Sequence, residues 1–423
     1  MSSTPAGYRE ITVPEARITE FRDVEDMAFA ESADRASLAD VPFTIPPERT
    51  RGVETADGEL VAVHGSHAFV LPVPGGEVPC SGLTWVGVRP DHRRRGLLST
   101  MIRSHLDRSV ERGEVVSALF AAEPGIYGRF GYGSAADQVQ LTVPRGAALR
   151  DVPGSADLSV RFVSLDAERH EALVAEVQAA AGHGRPGWIL RPTDALRRVA
   201  VLDPPVWRSG AEPARLVTVH DADGATRGYA LVHRTEKWND GSPAYPVRVS
   251  RYAAVDVAAA HRLWTFLLDL DLTATVSASL LPADDVLLSL LVDLRRAAPR
   301  LSDNLWVRLL DVPAALAGRR YSAPVDVVLA VRDDRLPANT GTWRLVTDTA
   351  ADADGTYAAQ VEPSTAEADL TLDVRELGAV YLGGRSLTAL ATAGLVRART
   401  TAALHTATAA FGWPLAPVCP WVF

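Results

Sequence analysis

The stretch Leu83–Leu98, LTWVGVRPDHRRRGLL, constrains this chain more than any other: a short apolar strand, a Pro-Asp turn, three consecutive arginines and a glycine that opens a helix. Leu97, Leu98, Met101, Ile102, Leu106 and Val110 recur at three- and four-residue steps and predict one buried stripe on a helix from about Gly96 to Arg112. Val115 to Ala121 then reads as a buried strand. Strand, basic turn, helix and strand make the crossover that sets two strands parallel or splayed in one sheet. Arginines at a helix start oppose the helix dipole, which favours carboxylates there. A bound anion resolves the conflict. Glycine lets the backbone approach a ligand, the first N–H groups of the helix donate to phosphate oxygens, and guanidinium groups add charge-assisted bonds. Without its context, RRRG suits a solvated basic turn equally well.

The flanking residues make the crossover part of a larger sheet. Tyr8–Val13 predicts a first strand and Pro14–Ser32 a helix, while Ala33–Pro47 is less regular. Asp57-Gly58, between Arg51–Thr55 and Leu60–Leu71, is a hairpin signal, and Gly75-Gly76 predicts a second hairpin leading into Leu83–Val88. An antiparallel meander thus feeds the arginine turn. Downstream lies Gly125–Gly133, GIYGRFGYG, whose polar aromatic rings can reach the strands' C-terminal ends. Val139–Val143 is expected to close the sheet, ending the first domain near Pro153.

Together, GLTWVGVRPDHRRRGLL and GIYGRFGYG resemble the Eis (enhanced intracellular survival) family of GNAT-superfamily N-acetyltransferases, whose acyl-CoA pyrophosphate loop is written Arg/Gln-x-x-Gly-x-Gly/Ala. Leu98 departs from its last position. Later stretches fit in order: Leu305–Leu316, LWVRLLDVPAAL; Leu377–Gly384, LGAVYLGG; and the terminal Phe423. The resemblance covers almost the whole chain and implies an α/β (α+β) fold of tandem acetyltransferase (GNAT) domains. The active domain spans 1–153 and a second GNAT-like domain without a cofactor loop spans 154–305. A sterol-carrier-protein-like domain follows at 306–412, then an extended tail, 413–423, that reaches the active site. The residues permit that division. Leu158–Val163, Ala214–His220, Arg227–Arg234 and Val247–Val255 read as strands, Ala167–Ala181 and Ala258–Leu268 as helices, and no second RRxG turn follows a strand there. Beyond Val312, Asp326–Val331, Gly341–Val346 and Gln360–Pro363 read as strands, and Ala366–Leu377, Thr388–Ala393 and Thr400–Ala410 as helices. Packing and oligomer contacts account for that third region as simply as lipid carriage does. The tail, GWPLAPVCPWVF, contains three prolines, which forbid a helix and favour an extended path over another surface.

Acetyl transfer from a thioester to an amine needs a grip on CoA, a polarised carbonyl, a base for the amine and an acid for the thiolate. The family pattern assigns the grip to Arg93, Arg94, Arg95, Gly96, Leu97 and Leu98. It also implies that pantetheine adds like a strand along Val86 and Val88, with a backbone N–H near Val86 on the carbonyl. Tyr127 is the proton donor by the same resemblance; a phenol of pKa about 10 suits an alkyl thiolate, and Gly125 and Gly128 allow close approach. Tyr132 is the competing phenol and is read as structural. No Asp, Glu or His stands out on Leu83–Val88, and Glu123 fits a capping role. The resemblance supplies the base as the C-terminal carboxylate of Phe423, ionised at neutral pH with a reference pKa of about 3.5. Proline-stiffened chain lowers the entropy cost of bringing it to a distant site. The acceptor so implied is a primary amine of an aminoglycoside-like or polyamine-like molecule, or a lysine side chain. Relatives that acetylate aminoglycosides carry an acidic residue beside the terminal Phe, where this chain has Val422. Asp23, Glu25, Asp26 and Asp40 offer acidity, with Asp26 taken as the acceptor contact and Trp85 as a pocket wall. A solvated face explains such carboxylates at least as readily.

Composition narrows the remaining classes. At 423 residues and 47% hydrophobic, the chain builds more than one core. Its 43 basic and 52 acidic residues give a net charge of -9, so nucleic acid is not an expected partner. Cys80 and Cys419 lack CxxC or Cys/His spacing and predict reduced thiols without a zinc site or disulfide. His64 and His67, three apart on a predicted strand, point to opposite faces and cannot share a metal; no metal is expected. His92 either meets a phosphate or stands exposed. The N-terminus lacks a secretory signal, and aspartates with Pro282 break the apolar run near Leu263–Leu294, so a cytoplasmic protein without a membrane span is expected. The resemblance adds a homohexamer. The rival to an acetyl-CoA-dependent enzyme is a non-catalytic acyl-CoA or lipid-binding protein on a GNAT scaffold.

Overall fold

A computed structural model describes residues 4–30 and 35–423. Its first sheet has the order β1 (Tyr8–Thr12), β2 (Thr50–Thr55), β3 (Leu60–Val73), β4 (Gly76–Val88), β5 (Val116–Phe120), Leu305–Leu309 and β6 (Gly133–Ser134). Both expected hairpins form, the first at Asp57-Gly58 and the second at Pro74-Gly75, one residue before the expected Gly75-Gly76 because Gly76 already pairs with Val73. Helix α1 (Ile18–Phe29) lays Phe21 and Val24 against Leu60 and Val63 of β3. The end of the expected Pro14–Ser32 helix, and the start of the Ala33–Pro47 segment, lie outside the described residues.

Strands β4 and β5 run parallel but pair only where Cys80, Ser81 and Gly82 meet Val116, Ser117 and Ala118. Beyond Gly82, β4 has a strand partner on its β3 side alone. A bulge there sets Trp85 and Val86 against His64, since Gly65 pairs with Thr84 and Val63 with Gly87. Trp85 takes φ +51° at the bulge. Bulges bend a strand and re-aim its side chains, so β4 diverges from β5 and a cleft opens between them. Helix α2 (Leu97–Glu111) then covers the sheet with Leu97, Met101, Ile102 and Leu106 buried. Val110, expected in that stripe, is 46% exposed, because the buried face continues through His105 and Ser109 instead.

The first two sheets interlock. Strand β7 (Asp137–Pro144), expected to close the first sheet, enters the second one between Arg300–Asp303 and Thr273–Leu281. Its place is taken by Leu305–Leu309, antiparallel to both β5 and β6. The reason is local: the Ala135 and Ala136 N–H groups both donate to Leu305 O, and Asn304 N donates to Ala136 O, which turns the chain out of the first sheet. Boundaries near Pro153 and Leu305 therefore separate residues that share a sheet. The rest of the second sheet follows expectation, with strands Tyr245–Ala254, Thr226–Arg234, Arg215–His220 and Ser159–Ser164 in spatial order. Helices Ala167–Ala181 and Val257–Leu268 each start on an aspartate, Asp166 accepting from Glu168 N and Arg169 N, and Asp256 from Ala259 N.

The third sheet orders Ala359–Pro363, Gly341–Thr347, Asp326–Arg332, Leu370–Asp373 and Val396–Ala398. The run Ala366–Leu377, expected as one helix, divides at Asp373. Leu370 pairs with Leu329 and Leu372 with Val331, and Asp373 caps a helix over Val374–Val380 by accepting from Arg375 N. A four-residue alternation is too short for periodicity to separate from a helix. One apolar core runs from Phe69 and Leu71 through Val307 to Leu329 and Tyr381, joining the first and third sheets. The buried ion pair of Arg308 with Asp333, at 2.6 Å, crosses the same junction. The final residues, 412–423, form neither helix nor strand. Among the described residues no helix is long and apolar enough to cross a membrane, and Cys80 and Cys419 are separate buried thiols.

Candidate active site

The turn between β4 and α2 leaves hydrogen-bond donors at a helix start without protein acceptors. Arg94 takes φ +61° and Gly96 φ +81°, and Gly96 is the N-cap without a side chain over the helix start. The N–H groups of Leu97 and Leu98 are thus left without intrahelical acceptors, and the first turn contains no acid. Arg95 is committed to the protein, donating to Tyr8 Oη at 2.8 Å and to Asp91 O at 3.0 Å. His92 is half-buried, its Nδ1 2.9 Å from the same Tyr8 hydroxyl. Arg89 is held by Asp91 at 2.9 Å and by Glu59. Arg93 and Arg94 are exposed and form no ion pair among the described residues. The corresponding strand–helix–strand unit of the second sheet, Tyr245–Ala254 to Thr273–Leu281, differs at this point. There the Asp256 carboxylate already accepts from Ala259 N at 2.8 Å and pairs with Arg227 at 2.5 Å.

The cleft between β4 and β5 widens into a cavity of about 600 Å³. Leu83, Thr84, Trp85 and Val86 form one wall; Trp85 leans on Phe43 and Phe21, with ring centroids 5.2 and 5.9 Å away. Val88 does not line the cavity but packs in the cluster of Leu97 and Met101 beneath α2. The acid that α1 contributes is Glu25. Asp26, one position and about 100° further round the helix, does not line the cavity, and Asp23 and Asp40 are exposed.

Tyr127 ends the single-turn helix α3 (Pro124–Tyr127) and lines the cavity half-buried, its ring edge-on to Tyr132 at 6.0 Å. Burial, and then the nearby Glu123 carboxylate, push its phenol up to about 12, so it keeps its proton at neutral pH. Tyr132 is fully buried away from the cavity. Its hydroxyl shares a 2.8 Å hydrogen bond with Ser117 Oγ, which lies 2.8 Å from His105 Nε2 and donates to Ser81 O at 3.0 Å. That network fixes the floor on which Tyr127 rests.

The tail arrives from the far end of the chain and is clamped at two levels. Cys419 N donates to Asn304 Oδ1 at 2.7 Å, Asn304 Nδ2 returns a bond to Cys419 O at 3.1 Å, and Trp421 Nε1 donates to Ile189 O at 2.7 Å. The Phe423 ring then stands edge-on among Phe69, Phe120 and Trp421, at 4.9, 5.4 and 5.5 Å. Its seat depends on Gly82, where a Cβ would lie 2.3 Å from Phe69 Cε2 and 3.2 Å from Phe423 Cε2. The last residue that pairs β4 with β5 is therefore also the one that admits the terminus. Phe423 and Tyr127 line the same cavity.

Residues 8–135 and 187–309 each match an acetyltransferase (GNAT) domain family, and residues 312–420 match a sterol carrier protein domain. An uncharacterised N-acetyltransferase of Streptomyces avermitilis is 41% identical over 379 residues, 89% of this chain and 90% of that one. The N-acetyltransferase Eis of Mycobacterium tuberculosis is 34% identical over 362 residues, 81% and 80% of the two chains. The chain belongs to the Eis family of GNAT N-acetyltransferases. The crystal structure of Eis1 from Mycobacterium abscessus superimposes on 98% of this chain and 100% of its own, with a TM-score of 0.80 and 29% identity. This Eis-family protein is an acetyl-CoA-dependent N-acetyltransferase of two GNAT domains and a sterol-carrier-like domain.

Several residues of this Eis-family cavity carry no sequence signal. His67 is placed by strand period on the face opposite His64, whose ring instead meets His105 at 6.2 Å. His67 lines the cavity, and burial with the charge of Arg49 pushes it down to about 4, leaving a neutral imidazole. Phe69 and Phe120 read as ordinary core positions until the terminus is seated on them. Arg191, Arg251 and Asp303 come from the second domain and the junction, and nothing near them in sequence marks them as lining a site of the first domain.

Proposed function

We propose that the chain transfers acetyl from acetyl-CoA to a primary amine by direct attack in a ternary complex, with Tyr127 as general acid and the terminal carboxylate of Phe423 as general base. The observation that carries this reading is the seating of both residues in one cavity, where β4 leaves β5 with an unpaired edge. The residues fit acetyl-CoA as substrate. Arg93, Arg94 and the N–H groups of Leu97 and Leu98 suit the pyrophosphate. The free edge of β4 at Val86 and Val88 suits pantetheine added like a strand, with an N–H near Val86 for the thioester carbonyl. The amine gives a proton through water to the Phe423 carboxylate, and its nitrogen bonds to the carbonyl carbon. As the C–S bond breaks, Tyr127 passes its proton to the thiolate.

Aminoglycoside-like and polyamine-like molecules and lysine side chains are the acceptors in scope, with Trp85 as a wall and Glu25 as the acidic contact in place of Asp26. The carboxylate of Asp256 at the second domain's helix start supports a scaffold role there, because it occupies the position a phosphate needs and opposes its charge. The resemblance also carries a cytoplasmic homohexamer, which a sizing measurement tests. Acetyl-CoA consumption across aminoglycosides, polyamines and lysine peptides tests the activity itself. Turnover with at least one primary amine is expected, and acetyl-CoA binding without turnover of any amine refutes the proposal.

A further inference from the structure

The second-domain wall of the cavity carries two arginines, Arg191 and Arg251, that form no ion pair among the described residues. Both are half-buried. Arg251 Nε donates to Ala200 O at 2.7 Å, and neither of its terminal nitrogens has a hydrogen-bond partner among the described residues. Arg191 Nη1 donates to Gln178 Oε1 at 2.6 Å, and its guanidinium lies 4.3 Å from the centre of the Trp421 ring, two residues before the terminus. Its Nε and Nη2 are open. None of these open nitrogens is sealed in the interior, unlike Arg51 Nε, Arg215 Nε and Arg308 Nε elsewhere in the protein. They are donors on side chains that line the cavity.

The cost of this arrangement shows in the charges. Burial first, and then the neighbouring Arg251, push the Arg191 guanidinium down to about 9, and burial lowers Arg251 as well. Two cations held near each other without a counter-ion are relieved by an anion, and a guanidinium fork matches a carboxylate or phosphate. The opposite charges of the cavity sit elsewhere on its lining: Glu25 on α1, Asp303 beside Trp306 Nε1 at 2.7 Å, and the terminus at Phe423. The neutral His67 adds no charge. The lining thus presents both signs of charge, and a polycation complements only the carboxylates and is repelled by the two guanidiniums. A molecule with an ammonium at one end and an anion at the other meets complementary charge at both.

We propose that the acceptor amine carries an anionic group, a carboxylate or a phosphate, which Arg191 and Arg251 bind while its amine faces Tyr127 and Phe423. The inference rests on the amine-acetyltransferase reading above and narrows its acceptor class. The Tyr127 and Phe423 walls perform the transfer, whereas the second domain, which lacks a usable helix start for CoA, selects the acceptor.

The test compares acceptors that differ only in the anion, with acetyl-CoA consumption as readout. Lysine against cadaverine forms the carboxylate arm, and glucosamine 6-phosphate against glucosamine forms the phosphate arm. The anionic member of at least one pair is expected to have the higher kcat/KM by about tenfold or more, the scale of a hydrogen-bonded charge contact. Arg251→Gln and Arg191→Gln should abolish that preference by raising KM for the anionic acceptor with kcat little changed. Arg251→Lys, which keeps the charge, should recover part of it. The members without the anion should lose no kcat/KM with any of the three substitutions, a pattern that misfolding does not produce. Equal or better turnover of the amines without the anion overturns the proposal and leaves the acetyltransferase reading intact. A preference that survives both glutamine variants also overturns the role of these arginines. If an aminoglycoside or a lysine peptide is acetylated and no amine of either arm is, this inference fails alone; if none of these amines is acetylated, the proposed amine transfer fails with it.

Discussion

Converting the terminal carboxylate of Phe423 to a carboxamide, by ligating a synthetic tail, keeps the ring contacts and removes one charge. The three edge-on contacts of that ring, at 4.9, 5.4 and 5.5 Å, are worth about 0.5–1.5 kcal/mol each beyond area burial. Upstream, the bonds of Cys419 and Trp421 hold the tail independently. The amidated protein should therefore keep its Tm and its affinity for acetyl-CoA. Its turnover should fall by roughly a hundredfold or more, the usual contribution of a positioned base, or about 2.7 kcal/mol of barrier. Deleting Phe423 should cost more, because the new carboxylate retreats by about 3.5 Å onto Val422, which is 61% exposed, and the aromatic seat empties. Thiol release at saturating acetyl-CoA measures kcat directly. An amidated protein with unchanged kcat refutes the terminal base and shifts attention to His67, the neutral imidazole on the same cavity wall.

Three further outcomes are expected. Tyr127→Phe keeps the edge contact with Tyr132 but removes the transferable proton, so kcat should drop by about a hundredfold with the KM for acetyl-CoA little changed. Arg94→Ala should raise that KM by about tenfold, the loss of one charge-assisted bond of ~1.5 kcal/mol, and leave Tm unaltered because Arg94 is exposed. Acid should destabilise the fold through its buried histidines. Burial lowers His64 from 6.5 to about 3, His67 to about 4 and His105 well below its ordinary value. The folded state thus binds fewer protons than the unfolded one, and this contribution is intact above pH 6.5 and lost as pH falls toward 4. By pH 5 His64 and His67 each cost about 2 kcal/mol at 1.36 kcal/mol per pH unit. Thermal unfolding between pH 7 and pH 5 tests this, with His105→Gln expected to flatten the decline; a Tm flat across that range contradicts it.

Some of the fold is readable locally. The hairpins at Asp57-Gly58 and Pro74-Gly75 and the helices Ala167–Ala181 and Leu97–Glu111 depend on turn chemistry, capping and period, all of which are properties of neighbouring residues. The arginine turn and Tyr127 also lie within one contiguous segment, so both are visible as motif and chemistry. Where local pattern competes with pairing, it misleads: β7 alternates well enough to close the first sheet, yet the bonds of Leu305 and Asn304 divert it into the second. Likewise Leu370 and Leu372 lie in a helix-like run and are claimed by Leu329 and Val331 as a strand.

The division falls in the same place within the site. By itself the sequence determines the glycine-capped basic turn, because a glycine N-cap and a run of arginines act over one helix turn. It also determines, through the family resemblance, which donor and which phenol to expect. Only the tertiary structure decides what faces them. The bulge at Trp85 and the bare Cα of Gly82 open a cleft into which a terminus folds from the far end of the chain, and the second domain adds Arg191 and Arg251. Those contacts join residues with no shared local pattern. Their energy comes from packing and charge across the junction, and neither is written in the spacing of residues along the chain.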